Sequence, residues 1–537
     1  MAKVATGMRL LSGLVALAAI LALLAGCVTT PSSTSTSPAA PAGQAVAPVP
    51  YVAGKDGALP ASAYPGQLPV FAERYVGERG GGEPTIGVNA DGVAIFPTIA
   101  FDINAVATRL PSTRVMISTD EGKSWEDRTP LIAAGNDPVP AVRPNPASLD
   151  PYVYADPVTG RLFNIDLNLA AGGFLSYTDD AGKTWVSNPG CCGLPVDDHQ
   201  SLFAGPATTL QPVAPLYPRI LYFCINQVGA TSCTHSLDGG LSWSGSVPAY
   251  PGAETARPDG KPCTTDPNSD DFGDCVCGGL SGHGHASEKT GTVFVPKGQC
   301  GKAEVARSTD NGATFTQVIV DQRMGMPDHE AIVSTDKAGN VYYVFLDGHA
   351  LPRLAISHDD GVTWSSPINV TVPGVTSAKF PSIVAGDTGR IAFLYLGTTT
   401  PHGRHVGDLN GDRTPKYPGE LENATWNAYV GFSLNADAQD PVFATVTANP
   451  VGDPLARGAC AGRCPGSDNG GMYDFLDIDI HPKTGQVWVA LMDNCNGETP
   501  YNSPPCNGPL GNAKSYQHTR AAVGVQVGGT MLGSALP

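Results

Sequence analysis

The stretch Ser118-Thr119-Asp120-Glu121-Gly122-Lys123-Ser124-Trp125 recurs along the chain with the form Ser/Thr-x-Asp-x-Gly-x-Ser/Thr-aromatic. An internal repeat at this level of detail indicates a fold built from repeated units. The further copies are Thr178–Trp185, Ser236–Trp243, Ser308–Phe315 and Ser357–Trp364.

Each copy predicts a β-hairpin turn. Its Asp carboxylate can accept hydrogen bonds from backbone N–H groups of its own loop, as in Asx turns. Its Gly supplies a position with positive φ. Its aromatic side chain is expected to bury a large apolar area against the next unit. These roles are structural, so we do not expect the repeated Asp residues to be catalytic.

The repeated pattern resembles the Asp box, also called the BNR repeat, of sialidases and related β-propellers. The resemblance implies a β-propeller in which these turns join the third and fourth strands of each blade. It implies less about activity, because one fold can serve several unrelated functions.

A second repeated element gives the number of blades. A short strand opens with a polar residue and leads through a turn into a second apolar strand, which predicts an all-β, seven-bladed β-propeller. A six-bladed ring, the fold of sialidases, is the alternative. The stretch from Leu68 to Tyr75 could supply the missing fourth strand of the last blade. The seven openings are Glu83–Ile86, Asp150–Val153, Asp198–Ser201, Gly282–His285, Asp328–Ala331, Phe380–Ile383 and Asp474–Asp477.

The N-terminal segment predicts export. Residues 1–27 combine a positive start with an apolar run, and Leu24-Ala25-Gly26-Cys27 resembles a bacterial lipobox, which implies lipid attachment to Cys27. An ordinary secretory peptide is the alternative. Residues 28–66 are rich in Ser, Thr, Pro and Ala and predict a disordered tether, so the propeller is expected to span 67–537. We thus expect an outward-facing protein that contacts the membrane only through its lipid.

The cysteines fit an oxidising compartment. The chain has 13 Cys, and lipidation of Cys27 would leave 12, enough for up to six disulfides. The close pairs Cys224/Cys233, Cys460/Cys464 and Cys495/Cys506 are natural partners. A zinc site at Cys275-Val276-Cys277 is a weaker alternative. The remaining Cys are expected to staple a long loop region: Cys191, Cys192, Cys263, Cys275, Cys277 and Cys300.

The formal net charge of −17 argues against nucleic acid or an anionic membrane surface as a partner. We expect an extracellular glycan or another surface partner, and a monomeric protein.

Ring topology predicts where chemistry could occur. The openings of the first strands are expected to meet around the central channel, at the face opposite the repeated turns. The carboxylates predicted to be catalytic there are Asp150, Asp198, Asp328 and Glu330. The imidazoles predicted to bind a divalent metal, zinc, manganese or calcium, are His199, His283, His285 and His329. The alternative is that these side chains only hydrogen-bond neighbouring blades.

The residues argue against sialidase activity itself. The sialidases resembled here hold the substrate carboxylate with three arginines, the first in an Arg-Ile-Pro motif. The corresponding opening is Glu83-Pro84-Thr85-Ile86, and Tyr217-Pro218-Arg219-Ile220 only scrambles the motif. Three functions therefore stay open: a glycan-processing hydrolase, a metal-dependent hydrolase or lyase, and a non-catalytic binding or assembly propeller.

Overall fold

The structure is a computed structural model, and its described part begins at Val49. The described residues are 49–55, 57–80, 83–100, 112–130, 151–168, 172–192, 197–207, 213–227, 230–250, 281–299, 302–322, 331–347, 350–400, 424–450, 452–457, 476–493 and 520–533.

The described residues form seven antiparallel sheets, which confirms the seven-bladed β-propeller and rules out the six-bladed alternative. Within a blade, consecutive strands pair in order from the innermost strand outward. Each of the seven predicted openings directly precedes or overlaps an innermost strand.

Blade 1 is β3 Gly87–Val88, β4 Ala94–Ala100, β5 Ser112–Ser118 and β6 Glu126–Asp127. Blade 2 is β7 Pro151–Ala155, β8 Leu162–Asn168, β9 Gly172–Thr178 and β10 Val186–Cys191. Blade 3 is β11 Asp197–Pro206, β12 Arg219–Gln227, β13 Ala230–Ser236 and β14 Val247–Tyr250. Blades 4 and 5 are β15 His285–Ala286, β16 Val293–Gln299, β17 Lys302–Ser308 and β18 Thr316–Asp321; and β19 Ile332–Thr335, β20 Val341–Leu346, β21 Pro352–Ser357 and β22 Ile368–Asn369. Blade 6 is β23 Ser377–Ala385, β24 Ile391–Thr398, β25 Thr425–Ser433 and β26 Val442–Thr447, with β1 Val49–Val52 and β27 Ala456–Arg457 added. Blade 7 is β28 Asp477–Ile480, β29 Val487–Asp493, β30 Arg520–Gly528 and β2 Val70–Gly80.

Blade 7 closes the ring with strands from both ends of the folded chain. Its outermost strand is β2, which pairs with β30 so that Arg74 lies opposite Val523. The prediction that residues around Leu68 to Tyr75 complete the last blade is confirmed. Closure in this way ties the start of the ring to its end, because β2 precedes blade 1 in the chain and its backbone hydrogen bonds cover the open edge of β30.

The predicted tether is too long at its C-terminal end. Residues Val49–Val52 form β1, an extra outer strand that pairs with β26 of blade 6. Tyr51 is buried, and its hydroxyl donates to the Val370 carbonyl at 2.6 Å. The tether prediction failed because Ser/Pro/Ala-rich composition dominates residues 28–66, while the apolar residues of β1 are few. The folded body therefore includes residues that precede the predicted boundary at 67.

The five repeats form the turns that their residues predict, and each joins the third and fourth strands of its blade. In the first, Asp120 Oδ1 accepts from the Ser124 backbone N–H at 2.8 Å and Oδ2 from the Ser124 hydroxyl at 2.7 Å. Gly122 has φ +77°, and Glu121 before it also has positive φ, at +63°. We call the face of the disc that carries these turns the repeat face. Since strands alternate in direction, innermost strands also end there.

The aromatic residue of each repeat was expected to contact the next blade, but it contacts the preceding one. Trp185 of blade 2 donates its indole N–H to the Arg128 carbonyl of blade 1 at 2.7 Å. It also packs on the apolar cluster that contains Ile95 and Ile117 of blade 1. The sequence gives no direction around the ring, so it could not decide between the two neighbours.

Apolar packing is concentrated between blades. Among the described residues, buried apolar side chains form seven clusters, and each joins two neighbouring sheets around the ring. The last pair of blades shares Trp426 and Leu491, and blades 7 and 1 share Trp488 and Phe96. The core is thus a ring of interfaces around the axis.

Two disulfides are present in the described residues. Cys224 and Cys233 lie opposite each other on β12 and β13 and are bonded, as predicted. Cys191 and Cys192 are bonded to each other rather than to the long loop region. Cys27 and the other predicted partners lie outside the described residues. Within those residues, no helix is long and apolar enough to cross a membrane.

Candidate functional site

A cavity of about 490 Å³ lies on the propeller axis, walled by the innermost strands. All seven blades contribute to its lining, from Ile86 of blade 1 to Ile480 of blade 7. A concave space of this size, with a mixed apolar and polar wall, is the usual form of a small-ligand site.

Three polar side chains of the cavity come from different blades and lie at the same level along the axis. Tyr152, His283 and Asp477 each lie three residues before the end of an innermost strand, in blades 2, 4 and 7. The rings of Tyr152 and His283 meet edge to face, with 4.9 Å between centroids. His283 Nδ1 lies 3.8 Å from Asp477 Oδ1. Side chains from three separate blades therefore meet on the axis at one level.

A second level lies two residues closer to the repeat face and holds Tyr154, His285 and Asp479. Asp477 and Asp479 thus project from the same face of β28, because successive side chains of a strand alternate. The two carboxyl groups and the two tyrosines come from blades far apart in sequence, and ring closure alone brings them to one cavity.

The two carboxyl groups of β28 also hold blade 1 to blade 7. Asp477 Oδ2 accepts from the Ile86 backbone N–H at 3.0 Å, and Asp479 Oδ2 accepts from Val88 N–H at 2.6 Å. Asp479 Oδ1 accepts from Ile480 N–H at 2.8 Å. Burial raises the pKa of Asp479 to about 8, although these two backbone N–H groups favour its charged form, and neighbouring Asp477 raises it further.

Other innermost strands use hydroxyl groups for the same purpose. The N–H of Val153 donates to Thr85 Oγ1 at 3.0 Å, that of Gly284 to Ser201 Oγ at 2.7 Å, and that of Ala385 to Ser334 Oγ at 3.1 Å. An innermost strand has no sheet neighbour on its axial side, so these N–H groups need side-chain partners. Blade 7 uses two carboxyl groups where these three joints use hydroxyl groups.

Two of the predicted metal-binding histidines contact a neighbouring blade. His285 Nε2 lies 2.8 Å from Thr335 Oγ1 of blade 5, and His199 Nδ1 lies 3.1 Å from the Ser281 carbonyl, which precedes blade 4. Burial lowers the pKa of His285 to about 4, and the nearby charge of Arg219 lowers it further. At neutral pH, His285 is an uncharged hydrogen-bonding group.

A buried ion network closes the repeat-face end of this wall. Arg219 Nε lies 3.1 Å from Asp156 Oδ2, and its guanidinium also binds both carboxylate oxygens of Glu288. The Tyr217 hydroxyl donates to Asp156 Oδ2 at 2.6 Å. Arg219, in the stretch that scrambles the Arg-Ile-Pro motif, is only 3% exposed and is engaged within the fold.

Three of the four predicted catalytic residues lie outside the described residues: Asp150, Asp328 and Glu330. His329 of the predicted metal-binding set also lies outside them. The backbone of Asp198 lies on β11, opposite Asn226. Within the described ranges, no group of three or more His, Cys, Asp or Glu side chains is arranged to hold a metal ion. The catalytic and metal assignments therefore stay predictions.

The axial pair Asp477 and Asp479 and the tyrosines Tyr152 and Tyr154 are not among the predicted site residues. Asp477 belongs to the seventh predicted opening, but only polar residues at strand starts were predicted to face the channel. The available signal was spacing, because Tyr-x-Tyr, His-x-His and Asp-x-Asp each put both polar side chains on one face of a strand.

No family model and no curated protein sequence matches this chain. Among solved structures, the BP39L lectin from Burkholderia pseudomallei is 10% identical, with a TM-score of 0.44, over 77% of this chain and 93% of the lectin. A protein of unknown function from Dyadobacter fermentans is 13% identical, with a TM-score of 0.41, over 86% of this chain and 100% of that one. A leech intramolecular trans-sialidase is 12% identical, with a TM-score of 0.38, over 86% and 70%. At such scores, the fold assignment rests on the strands of this chain alone.

Proposed function

We propose that the protein is an exported glycan-binding propeller whose saccharide site is the axial cavity. The observation that carries this proposal is the cavity of about 490 Å³, in which Tyr152, His283 and Asp477 converge. Tyrosine rings offer apolar faces to the C–H face of a sugar, while imidazole and carboxyl groups can bind its hydroxyls.

Export and lipid attachment at Cys27 belong to the same proposal. They are supported by the lipobox-like Leu24–Cys27 and by the bonded Cys224 and Cys233, since disulfides persist in oxidising compartments. A Cys27→Ala variant should shift the protein from the membrane fraction to the soluble exported fraction. Equal membrane retention of the two proteins would contradict the anchor. The Asp-box relationship of the repeats to those of sialidases is likewise a proposal, supported by their shared pattern.

The test of glycan binding uses the full chain in detergent on an array of bacterial and host glycans. We expect a small set of glycans to bind, and Tyr154→Ala to weaken binding at least tenfold by removing one aromatic wall. The exposed-site control Asp91→Asn should bind as the parent does. Absence of binding to every glycan, with a folded protein by circular dichroism, would contradict the proposal.

Hydrolysis of the bound glycan is the second candidate function. Two carboxyl groups that project from one face of a strand lie roughly 6–7 Å apart, within the range found in glycosidases. The raised pKa of Asp479 would keep it protonated near neutral pH, as a general acid must be, with Asp477 as its partner. The predicted Asp150, Asp198, Asp328 and Glu330 are the alternative carboxylates.

Release of reducing ends from the glycans that bind would test this second function. Asp479→Asn should abolish turnover while binding persists. Loss of turnover only in Asp150, Asp198, Asp328 or Glu330 variants would instead assign catalysis to the predicted set.

A divalent metal bound by His199, His283, His285 and His329 remains a separate proposal. Its support is the position of His283 and His285 on the cavity wall. Elemental analysis of the purified protein, with and without chelator treatment, tests it directly. A stoichiometric metal lost in His283→Ala would support it.

A further inference from the structure

We infer that the axial cavity selects a saccharide that carries a free amine, such as a 2-amino-2-deoxy sugar, over neutral or carboxylated ones. The inference rests on the proposed glycan-binding function and adds the ligand class. The preference for an amine follows from which polar groups of the cavity wall are already engaged within the fold and which can still bind a ligand.

Four carboxyl groups and two ammonium groups line the cavity among the described residues. The carboxyl groups are those of Glu288, Asp336, Asp477 and Asp479, and the ammonium groups are those of Lys289 and Lys337. The wall is therefore acidic on balance.

The two carboxyl groups near the repeat face are already engaged within the fold. Glu288 is bound by the buried Arg219. Asp336 Oδ2 accepts from the Tyr342 hydroxyl at 2.8 Å and from Gly389 N–H at 2.9 Å.

The two lysines are also engaged. Lys337 Nζ pairs with Asp387 at 2.8 Å, and Lys289 Nζ donates to the Ala338 carbonyl. Neither ammonium group is held toward the cavity by these contacts.

Asp477 and Asp479 are the carboxyl groups with acceptor positions left for a ligand. Because burial raises the pKa of Asp479 to about 8, the negative charge offered at neutral pH is that of the Asp477 carboxylate. Both groups accept hydrogen bonds from backbone N–H groups, and Asp477 also lies 3.8 Å from the His283 imidazole. A carboxylate offers about four acceptor positions, so both groups retain capacity for a donor from a ligand. An ammonium group beside them would gain charge-assisted hydrogen bonds in a partly dehydrated site.

The surrounding groups favour a cation as well. Tyr152 and Tyr154 line the same part of the cavity, and aromatic faces attract ammonium groups. No described arginine lines the cavity to hold a carboxylated sugar. A carboxylate ligand would meet like charge, and an N-acetyl group would lack the charge that the site attracts.

The experiment measures binding of three tetrasaccharides to the full chain by calorimetry: glucosamine tetramer, N-acetylglucosamine tetramer and galacturonate tetramer. We expect the amine to bind roughly tenfold or more tightly than the N-acetyl compound, and the galacturonate not to bind. Asp477→Asn should reduce this preference to about threefold or less, whereas Asp479→Asn, which replaces a protonated carboxyl group, should change it less. Asp440→Asn removes the same charge at an exposed site that pairs with Lys55, and it should keep the preference.

A second measurement needs no variant. In the parent protein, the preference for amine over N-acetyl should fall between 50 and 500 mM salt, because screening weakens the attraction. If the neutral tetramer binds as tightly as the amine, the amine inference fails while glycan binding stands. A preference that Asp440→Asn abolishes equally would assign it to overall net charge and would also overturn the inference. If no saccharide binds, the proposed function fails first.

Discussion

Asp120 on the repeat face and Asp479 on the cavity wall accept the same kind of hydrogen bond, yet their pKa values are shifted in opposite directions. Asp120 Oδ1 binds the N–H of Ser124, four residues away, at 2.8 Å. Asp479 Oδ2 binds the N–H of Val88, 391 residues away, at 2.6 Å. Hydrogen bonds to Ser124 lower the pKa of Asp120 to about 2, whereas burial raises that of Asp479 to about 8.

The contrast shows that a backbone N–H partner does not by itself set the charge of a carboxyl group. At the solvent-exposed turn the carboxylate remains hydrated, so added donors favour the charged form. On the axis, dehydration by seven blades opposes charge more strongly than two donors support it. The carboxylates of the turns therefore stabilise the fold by local polar contacts. The carboxyl group of Asp479 can keep its proton near neutral pH and could donate it to a ligand.

The largest expected effect comes from breaking a buried, long-range charge contact. Arg219→Leu leaves Asp156 and Glu288 without their guanidinium partner inside the ring. We expect a loss of about 3–5 kcal/mol in unfolding free energy, measured by urea denaturation. The control Lys55→Met removes an exposed pair with Asp440 and should cost less than about 1 kcal/mol. Equal losses in the two variants would contradict the proposed difference between axis and surface.

The pH dependence of stability tests Asp479 directly. An acid with a higher pKa in the folded state binds more protons when folded, so its contribution is full below pH 4 and is lost as the pH rises through about 8. The slope for one proton reaches at most about 1.4 kcal/mol per pH unit. Relative to the parent, Asp479→Asn should lose less stability between pH 5 and 9 in urea unfolding. Glu73, whose pKa is also raised to about 8 by burial, titrates in both proteins and does not alter the comparison.

Asp120→Asn is the matched control, with the opposite sign. A lowered pKa means that the contribution of Asp120 is present above pH 4 and lost as the pH falls toward 2. Its profile should match the parent between pH 5 and 9 and differ only on the acid side. Parallel profiles for all three proteins would show that neither carboxyl group titrates as described.

The Tyr51 hydroxyl of β1, the extra outer strand of blade 6, extends the comparison to an uncharged buried group. Tyr51→Phe removes the hydroxyl that binds the buried Val370 carbonyl, and we expect a loss of about 1–2 kcal/mol in unfolding free energy. In contrast, the buried Tyr64 hydroxyl has no partner among the described residues, so Tyr64→Phe should raise the unfolding free energy, by up to about 1 kcal/mol, because an unpaired buried hydroxyl is costly. The reverse order of the two variants would show that β1 is not held by this hydrogen bond.

The smallest expected effect is that of one repeat turn. Asp310 binds the backbone and hydroxyl of Thr314 at 2.9 and 2.6 Å, within an exposed loop. Asp310→Ala should cost about 1 kcal/mol in urea unfolding, because water replaces much of what is lost. A loss as large as that of Arg219→Leu would mean that the repeats carry more of the stability than their local contacts suggest.

The five repeats were predictable because nearly every contact that shapes them lies within eight residues. Ser118, Asp120, Gly122 and Ser124 bond to one another, and their spacing alone specifies the turn. The blade count was predictable for a similar reason, since each opening and its turn are contiguous. The direction of Trp185 toward blade 1 was not predictable, because it depends on how neighbouring sheets stack.

The candidate site was only partly predictable. His283 and His285 were correctly placed in the ring by counting blades, and both line the cavity. Asp479 and Tyr154 were not predicted, because a polar residue inside a short strand gives no sign of a binding site in the sequence. Their position in the cavity depends on the six other innermost strands that surround the axis. The predicted role of His285 as a metal ligand competes with its contact to Thr335, which no sequence pattern shows.

By itself, the sequence determined the repeated turn, the number of sheets and the strand that closes the ring, because these depend on short-range spacing and on matching apolar strands. Only the tertiary structure decided which side chains meet on the axis and which carboxyl group keeps its proton. Those outcomes depend on the distance between residues hundreds of positions apart and on how much water the closed ring excludes, and both exist only after the last blade has paired with the first.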